Sequence, residues 1–382
     1  MRVAIVINSS WNIYNFRKNL IKSLLERGDE VIAIAPVDEY SSKLEAMGCK
    51  FYPVRMNTTG VNPLRDLLLL FRLIFIYRKV KADIFLHYTI KPSIYGTLAA
   101  KLIGGIPVIN NVSGLGTVFI QNNWVLSVAV FLYRTSFRFS SHVFFQNFND
   151  KDLFLSLVKL QGPGVSVIPG SGIDYHRFAP RFNTNGRFTF LMVARLLVEK
   201  GVAEYAEAAE MIRKKGSNAR FVLLGQIEQK HLRGIPKEMI DAWHDSNVIE
   251  YVGVSDRVED WIAQSHVVVL PSYREGLPKT LLEGAAMGRP LIATNVPGCN
   301  TVVMDGENGL LCESRNAESL AAAMERMMGF EEQVRIKMGE TGRSYVVRHF
   351  SESIVVQEYL NKIDQFVPQG SVRATDLKEA FA

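Results

Sequence analysis

Short runs of uninterrupted apolar residues, each released into a polar loop and then a stretch with helical spacing, recur along the whole chain. Val3-Ala4-Ile5-Val6-Ile7 is the first of them and Val267-Val268-Val269-Leu270 the plainest. A strand with one wet face alternates apolar and polar residues. A strand with no polar face is buried on both sides, the condition of parallel strands covered by crossover helices. Strands are expected at 2–7, 30–35, 50–55, 83–86, 106–110 and 165–168, and again at 187–193, 219–224, 247–252, 267–270, 290–294 and 309–311. Helices are expected between them. The rhythm predicts an α/β chain of two Rossmann-like domains, each built on a doubly wound parallel sheet.

The first domain is expected over 1–170. Pro169-Gly170-Ser171-Gly172 opens a turn-rich linker, 171–186. The second domain is expected over 187–352, followed by a C-terminal helix and tail, 353–382, with the helix packing back on the first domain. Sheets of this kind bind ligands at the carboxyl ends of their strands. The polar loop after the first strand, 8–16, lacks Gly-x-Gly-x-x-Gly, which counts against a nicotinamide dehydrogenase.

In the second half, the apolar run 267–270 ends at Pro271-Ser272 and is followed by Tyr273-Arg274-Glu275-Gly276-Leu277-Pro278-Lys279-Thr280-Leu281-Leu282-Glu283-Gly284. Pro278 suits the first turn of a helix. Glu275 is then in the strand-end loop, and Glu283 a turn and a half into the helix. The N–H groups of Gly276, Leu277 and Lys279 make a helix N-terminus that attracts phosphate. A carboxylate does not hold phosphate, but it grips the hydroxyls of a sugar. The pair reads as a clamp for a sugar joined to a nucleotide diphosphate. Arg195 and Lys200 lie past the first strand of the second half, where a guanidinium fork and an ammonium both reach a diphosphate.

Glu275 and Glu283, within Pro-Ser-x-x-Glu-Gly-x-Pro-x-x-x-x-Glu, and Val193-Ala194-Arg195-Leu196 with Glu199-Lys200-Gly201, resemble the donor motifs of retaining glycosyltransferases of family 4. The likeness runs from Met1 to about residue 365. It is similar to bacterial members that build O-antigen, capsule or N-glycan oligosaccharides on polyprenyl diphosphate. The resemblance implies a GT-B fold, in which two such domains face a central cleft. It implies that Arg195 and Lys200 bind the leaving diphosphate, Glu283 the ribose and Glu275 the sugar. Gly276, Leu277 and Thr280 fall within the donor site, and Gln226 and Val252 lie where relatives hold the base. No cofactor is implied beyond the nucleotide-sugar co-substrate, expected to be a UDP-sugar. The rival readings are a glycoside hydrolase, a GT-B nucleotide-sugar epimerase and a non-catalytic protein that binds sugar nucleotide or lipid.

The acceptor half carries weaker signals. Asn8, Ser9 and Ser10 form a candidate site loop, where many relatives have a glycine pair. Lys91 and the 113–117 backbone, with Gly114 and Gly116, are placed to hold an acceptor phosphate. His87 is a candidate for taking the proton of an acceptor hydroxyl. Asp150-x-Asp152 opens a helix, where capping accounts for the carboxylates, and no metal is expected.

Charge then separates the halves. Residues 1–180 hold 20 Lys and Arg against 11 Asp and Glu, an excess of +9, whereas the remainder stands at −3. A basic half calls for anionic partners, and the absence of nucleic-acid-binding motifs argues against nucleic acid. Two apolar stretches edged with arginine, 64–77 and 124–139, fall short of the roughly 20 residues needed to span a bilayer. They read either as buried helices or as interfacial helices seated on anionic lipid. Three scattered cysteines fit a reducing compartment. The expectation is a cytoplasmic enzyme, peripheral on the inner membrane face, with a polyprenyl-diphosphate-linked acceptor.

Overall fold

The computed structural model describes residues 1–56, 62–115, 119, 124–181, 186–229 and 231–368. Two compact units emerge: residues 1–171 with the chain from Val355, and residues 172–354.

The first unit runs β1 (Arg2–Val6), α1 (Ser10–Glu26), β2 (Glu30–Ala35), α2 (Ser41–Ala46), β3 (Lys50–Pro53), α3 (Pro63–Val80) and β4 (Ile84–Tyr88). A π-helical turn, Pro92–Gly96, leads into α4 (Thr97–Leu102). Then come β5 (Val108–Val112), α5 (Trp124–Phe137), β6 (His142–Phe145), α6 (Phe148–Val158) and β7 (Gly164–Val167). The seven strands are parallel, in the order β3-β2-β1-β4-β5-β6-β7. Successive side chains leave opposite faces of a strand. Val3 and Ile5 therefore pack with Ile13, Leu20, Ile21 and Leu24 of α1, while Ala4 and Val6 pack with Leu69, Leu73 and Tyr77 of α3. On β4 the same alternation turns Tyr88 toward α1 and His87 toward α3.

The second unit runs β8 (Thr189–Val193), α7 (Val202–Lys214), β9 (Arg220–Leu224), α8 (Lys237–Asp245), β10 (Glu250–Tyr251), α9 (Val258–Ala263), β11 (Val267–Leu270), α10 (Lys279–Ala286), β12 (Leu291–Thr294), α11 (Cys299–Val302), β13 (Gly309–Cys312), α12 (Ala317–Gly329) and α13 (Glu332–Phe350). Its six parallel strands are ordered β10-β9-β8-β11-β12-β13. Phe190 and Val267 face α7 and α12, and Leu191 and Val268 face α10 and α13. The last helix, α14 (Glu352–Phe366), crosses the unit boundary. Its buried Val355, Tyr359 and Ile363 join the α1 side of the first core.

Four local features depart from the sequence expectation. The strand β6 is additional: Val143-Phe144-Phe145 is a short apolar run between Ser141 and Gln146, and it gains its place from pairing on both sides. Helix α1 begins at Ser10, not after a loop to residue 16, because the Ser9 hydroxyl accepts from the Asn12 N–H at 3.4 Å. Asn147, not Asp150, caps α6, its side chain accepting from the Asp150 N–H at 2.7 Å. Pro278 is the N-cap residue of α10, one position before the first turn.

Candidate active site

In both sheets the first strand lies inside, with later strands added outward on either side, so the strand order reverses next to it. In the second sheet the reversal falls between β8 and β11, and ligands bind at that point beyond the carboxyl ends. The loops leaving these two strands are locked backbone to backbone. Gly201 has φ +73°, and a Cβ there would lie 2.1 Å from the Pro271 carbonyl oxygen. The loop after β12 joins them: Gly298, at φ +85°, would place a Cβ 2.4 Å from the Glu275 carbonyl oxygen. Only glycine permits either approach.

This packing sets Lys200 against Glu275. The Lys200 Nζ donates to Glu275 Oε1 at 2.5 Å, and the Ser272 hydroxyl donates to the same oxygen at 2.7 Å. The Glu275 N–H donates to the Pro297 carbonyl at 3.2 Å, fixing the loop. Glu199 does not neutralise these cations; it pairs with Arg233 at 2.9 Å. Arg195 is exposed, and its guanidinium has no hydrogen bond or ion pair among the described residues. Of the two cations, Lys200 is thus paired and Arg195 is not.

Glu283 is buried on α10. Burial pushes its carboxyl up to about 7, against the pull of Lys279 and Arg177, with Glu259 adding a smaller push. A carboxylate half-neutral at physiological pH is unfavourable for folding alone, and such groups collect at binding sites. Thr280 is spent on architecture: its hydroxyl donates to the Val193 carbonyl at 2.9 Å and ties α10 to the end of β8. Leu277 packs partly against the second core, and Gly276 stands beside it in the same loop. Gln226 is exposed after β9, its carbonyl accepting from the Leu196 N–H at 3.0 Å. Half-buried Val252 follows β10, its N–H donating to Leu223 at 3.0 Å.

The first domain corrects three expectations. His87 is wholly buried, with Nε2 2.9 Å from the Tyr77 hydroxyl and Nδ1 3.4 Å from the Thr97 hydroxyl. Burial lowers its pKa to about 3, against a raising hydrogen bond from Asn110. It is a neutral packing residue, because the pleat aims it into the α3 layer. Ser10 is also fully buried, its hydroxyl donating to the Pro36 carbonyl at 2.7 Å and lying 3.2 Å from the Ser41 hydroxyl. Lys91 is already neutralised, its Nζ lying 2.7 Å from Asp66 Oδ1 on α3. Asn8 and the capping Ser9 remain half-buried between β1 and α1, and Gly114 follows β5 at φ +133°. Gly116 lies outside the described residues.

One cluster escaped the sequence reading. Arg17, Tyr88 and Asn111 are buried near the carboxyl ends of β1, β4 and β5. The signal was present: the apolar stripe Ile13, Leu20, Ile21 and Leu24 on α1 has Arg17 in its middle, and all five are buried.

The glycosyl transferase 4-like family model matches residues 2–147, and the glycosyl transferases group 1 model matches residues 187–329. A Campylobacter jejuni N,N'-diacetylbacillosaminyl-diphospho-undecaprenol alpha-1,3-N-acetylgalactosaminyltransferase is 28% identical, the alignment covering 96% of this chain and 99% of the relative. An Escherichia coli UDP-Gal:alpha-D-GlcNAc-diphosphoundecaprenol alpha-1,3-galactosyltransferase is 26% identical over 77% of this chain and 78% of its own. Among solved structures, a glycosyltransferase from Rickettsia africae superposes with a TM-score of 0.78 at 20% identity, covering 97% of this chain and 99% of that one. Anabaena HepE in complex with UDP and glucose gives 0.77 at 16% identity, covering 95% and 99%. With a 4-like first domain, a group 1 second domain and the GT-B pair of parallel sheets, the chain belongs to the family 4 glycosyltransferases.

Proposed function

We propose that this enzyme transfers a hexose or N-acetylhexosamine from a UDP-sugar to a saccharide carried on polyprenyl diphosphate, with retention of anomeric configuration. The observation that carries the reading is the Lys200–Glu275 pair, flanked by unpaired Arg195 and by Glu283 with its raised pKa, around the strand reversal of the second sheet. As the glycosidic C–O bond breaks, negative charge grows on the departing diphosphate. Cations placed at the site stabilise that charge, and Arg195 and Lys200 supply them without calling on a metal. Glu283 takes the ribose hydroxyls and Glu275 the sugar hydroxyls. Glycoside hydrolysis also uses two carboxylates, but it has no use for a diphosphate cradle. The acceptor class follows the two relatives, both named for undecaprenyl-diphosphate-linked saccharides.

The same reading seats the first domain on the cytoplasmic face of an anionic membrane. Helix α3 buries Leu69, Leu73 and Tyr77 and leaves Leu64, Leu67, Leu68, Phe71 and Phe75 exposed on another face, Phe75 by 71%. Arg65, Arg72, Arg78 and Lys79 are exposed beside them. On α5, Trp124, Val128 and Phe131 repeat the pattern. Among the described residues no helix is long and apolar enough to cross a membrane. An apolar stripe rimmed by basic residues suits the interfacial plane of an anionic bilayer.

The experiment is the mass of the lipid-linked product formed from a panel of UDP-sugars with a polyprenyl-diphosphate-linked saccharide. A single added hexose or N-acetylhexosamine supports the reading. Donor consumption that is indifferent to the acceptor points instead to an epimerase or hydrolase.

A further inference from the structure

We propose that Arg17 is the phosphate receptor of the first domain, binding the diphosphate of the lipid-linked acceptor. This assignment rests on the acceptor class proposed above. Arg17 is only 5% exposed, and it carries a guanidinium, the side chain suited to bidentate recognition of phosphate. A buried cation ordinarily sits against an anion, since desolvation costs several kcal/mol per ion. Among the described residues no carboxylate pairs with Arg17. Its Nη1 donates to the Phe16 carbonyl at 3.1 Å, and Nε is buried without a partner. Of the five N–H donors on a guanidinium, four therefore lack a partner among the described residues. The group lies over an aromatic face, its Cζ 4.1 Å from the centre of the Tyr88 ring.

The surroundings extend this into a polar site. Tyr88 is the register partner of Asn111 across β4 and β5. Asn111 donates through Nδ2 to the Tyr359 hydroxyl at 2.8 Å, and its Oδ1 accepts from Ser113 at 3.0 Å and Gln146 at 3.5 Å. These residues sit at or just beyond the carboxyl ends of β4, β5 and β6, beside the strand reversal between β1 and β4. The first sheet thus offers a cation and hydrogen-bonding groups where its topology places a ligand. Lys91, the sequence candidate for this task, is already satisfied by Asp66. The free fork of Arg17 matches two phosphate oxygens at once, a geometry Lys does not reproduce.

The test measures binding, so it does not depend on sugar transfer. Geranyl diphosphate, inorganic pyrophosphate and inorganic phosphate are titrated calorimetrically, with UDP saturating the donor site, into wild type, Arg17→Met and Arg17→Lys. Arg17→Met keeps the apolar stem over Tyr88 and removes the charge. It is expected to weaken geranyl diphosphate binding by roughly 10-fold to 100-fold, the scale of a charged hydrogen-bonding group, while raising Tm. Equal affinity in wild type and Arg17→Met overturns the assignment. A fall in Tm for Arg17→Met with binding retained also overturns it, since that marks a purely structural arginine. If Arg17→Met does not fold, Arg17→Lys decides: several-fold weaker binding supports the assignment and wild-type affinity refutes it. Pyrophosphate binding equal to that of geranyl diphosphate assigns recognition to the diphosphate alone, whereas dependence on the prenyl chain adds a lipid contact. Transfer to the lipid-linked acceptor with an acceptor KM untouched by Arg17→Met would leave the proposed function standing and this inference refuted.

Discussion

Lys200 and Glu275 are 75 residues apart in the chain, yet Lys200 Nζ lies 2.5 Å from Glu275 Oε1. The bond forms because Gly201 lets its backbone press against Pro271, bringing the loops after β8 and β11 into contact. The two side chains that the family motif assigns to diphosphate and to sugar thus hold each other before any donor arrives. On the proposed reading, a donor brings a phosphate for Lys200 and hydroxyls for Glu275 together, and a ligand offering only one leaves the other charge with its partner removed.

The two cations should separate in a mutational experiment. Arg195→Ala removes an exposed, unpaired group, so kcat should fall roughly 100-fold with Tm unchanged. Lys200→Ala should lower kcat by a similar factor and also cost about 1–3 kcal/mol of stability, because a mostly buried Glu275 loses its charged partner. Paired kinetics and denaturant melts check this. Equal stability of the two variants would contradict it.

Glu283 should give donor binding a pH dependence. Its carboxyl is pushed up to about 7 from 4.5 by burial, and the ionised form is the better acceptor for ribose hydroxyls. Donor KM should therefore fall roughly 5-fold to 10-fold as pH rises through 7, and Glu283→Gln should flatten the profile. The stability effect has the opposite sign. The folded protein holds a proton that the unfolded chain has lost, so stability declines between pH 4.5 and 7 and the deficit persists above. Glu283→Gln should accordingly stabilise the donor-free enzyme at pH 8, by on the order of 1–3 kcal/mol.

His87 predicts acid sensitivity in the other direction. Its pKa is lowered to about 3 by burial, so below its ordinary 6.5 the unfolded chain binds a proton that the folded chain refuses. Its contribution is complete above pH 6.5 and is lost as pH falls toward 3. His142, lowered to about 4 by burial and by Lys362, adds to the same window. His87→Gln should shrink the difference in Tm between pH 7 and pH 5, and the folded variant should keep kcat within a few-fold. A loss of 100-fold or more in kcat would restore His87 as a catalytic residue.

Membrane seating is tested on α3. Phe71→Ser/Phe75→Ser removes exposed rings, so stability should change by no more than about 0.5 kcal/mol, while co-sedimentation with anionic vesicles falls sharply. Neutralising Arg65, Arg72, Arg78 and Lys79 should abolish the preference for anionic over zwitterionic vesicles, each basic group contributing on the order of 1 kcal/mol. Negligible wild-type binding to either vesicle at low salt would make a soluble acceptor the better reading.

Much of this was legible beforehand. Doubly buried strands such as Val267–Leu270 announce themselves by uninterrupted apolar residues, and Glu275 and Glu283 stand out by type and spacing. The sequence did not reveal which neighbour each charged group meets. Lys91 finds Asp66 through the packing of α3, and Lys200 finds Glu275 through two glycine contacts. Nor did it fix the parity of β4, on which the fate of His87 depends, since a shift of one residue sends a strand side chain to the other face. Arg17 was visible as a charge inside an apolar stripe, a signal that is easily passed over as a snorkelling side chain.

The most direct measurement is the anomeric configuration of the new linkage. The product formed from an α-linked UDP-sugar and a polyprenyl-diphosphate-linked saccharide, isolated from a reaction run in excess EDTA, is assigned by its anomeric proton coupling. The expected result is an α-linkage formed at an undiminished rate. A β-linkage, or activity abolished by EDTA and restored by magnesium or manganese, would contradict retaining transfer driven by Arg195 and Lys200.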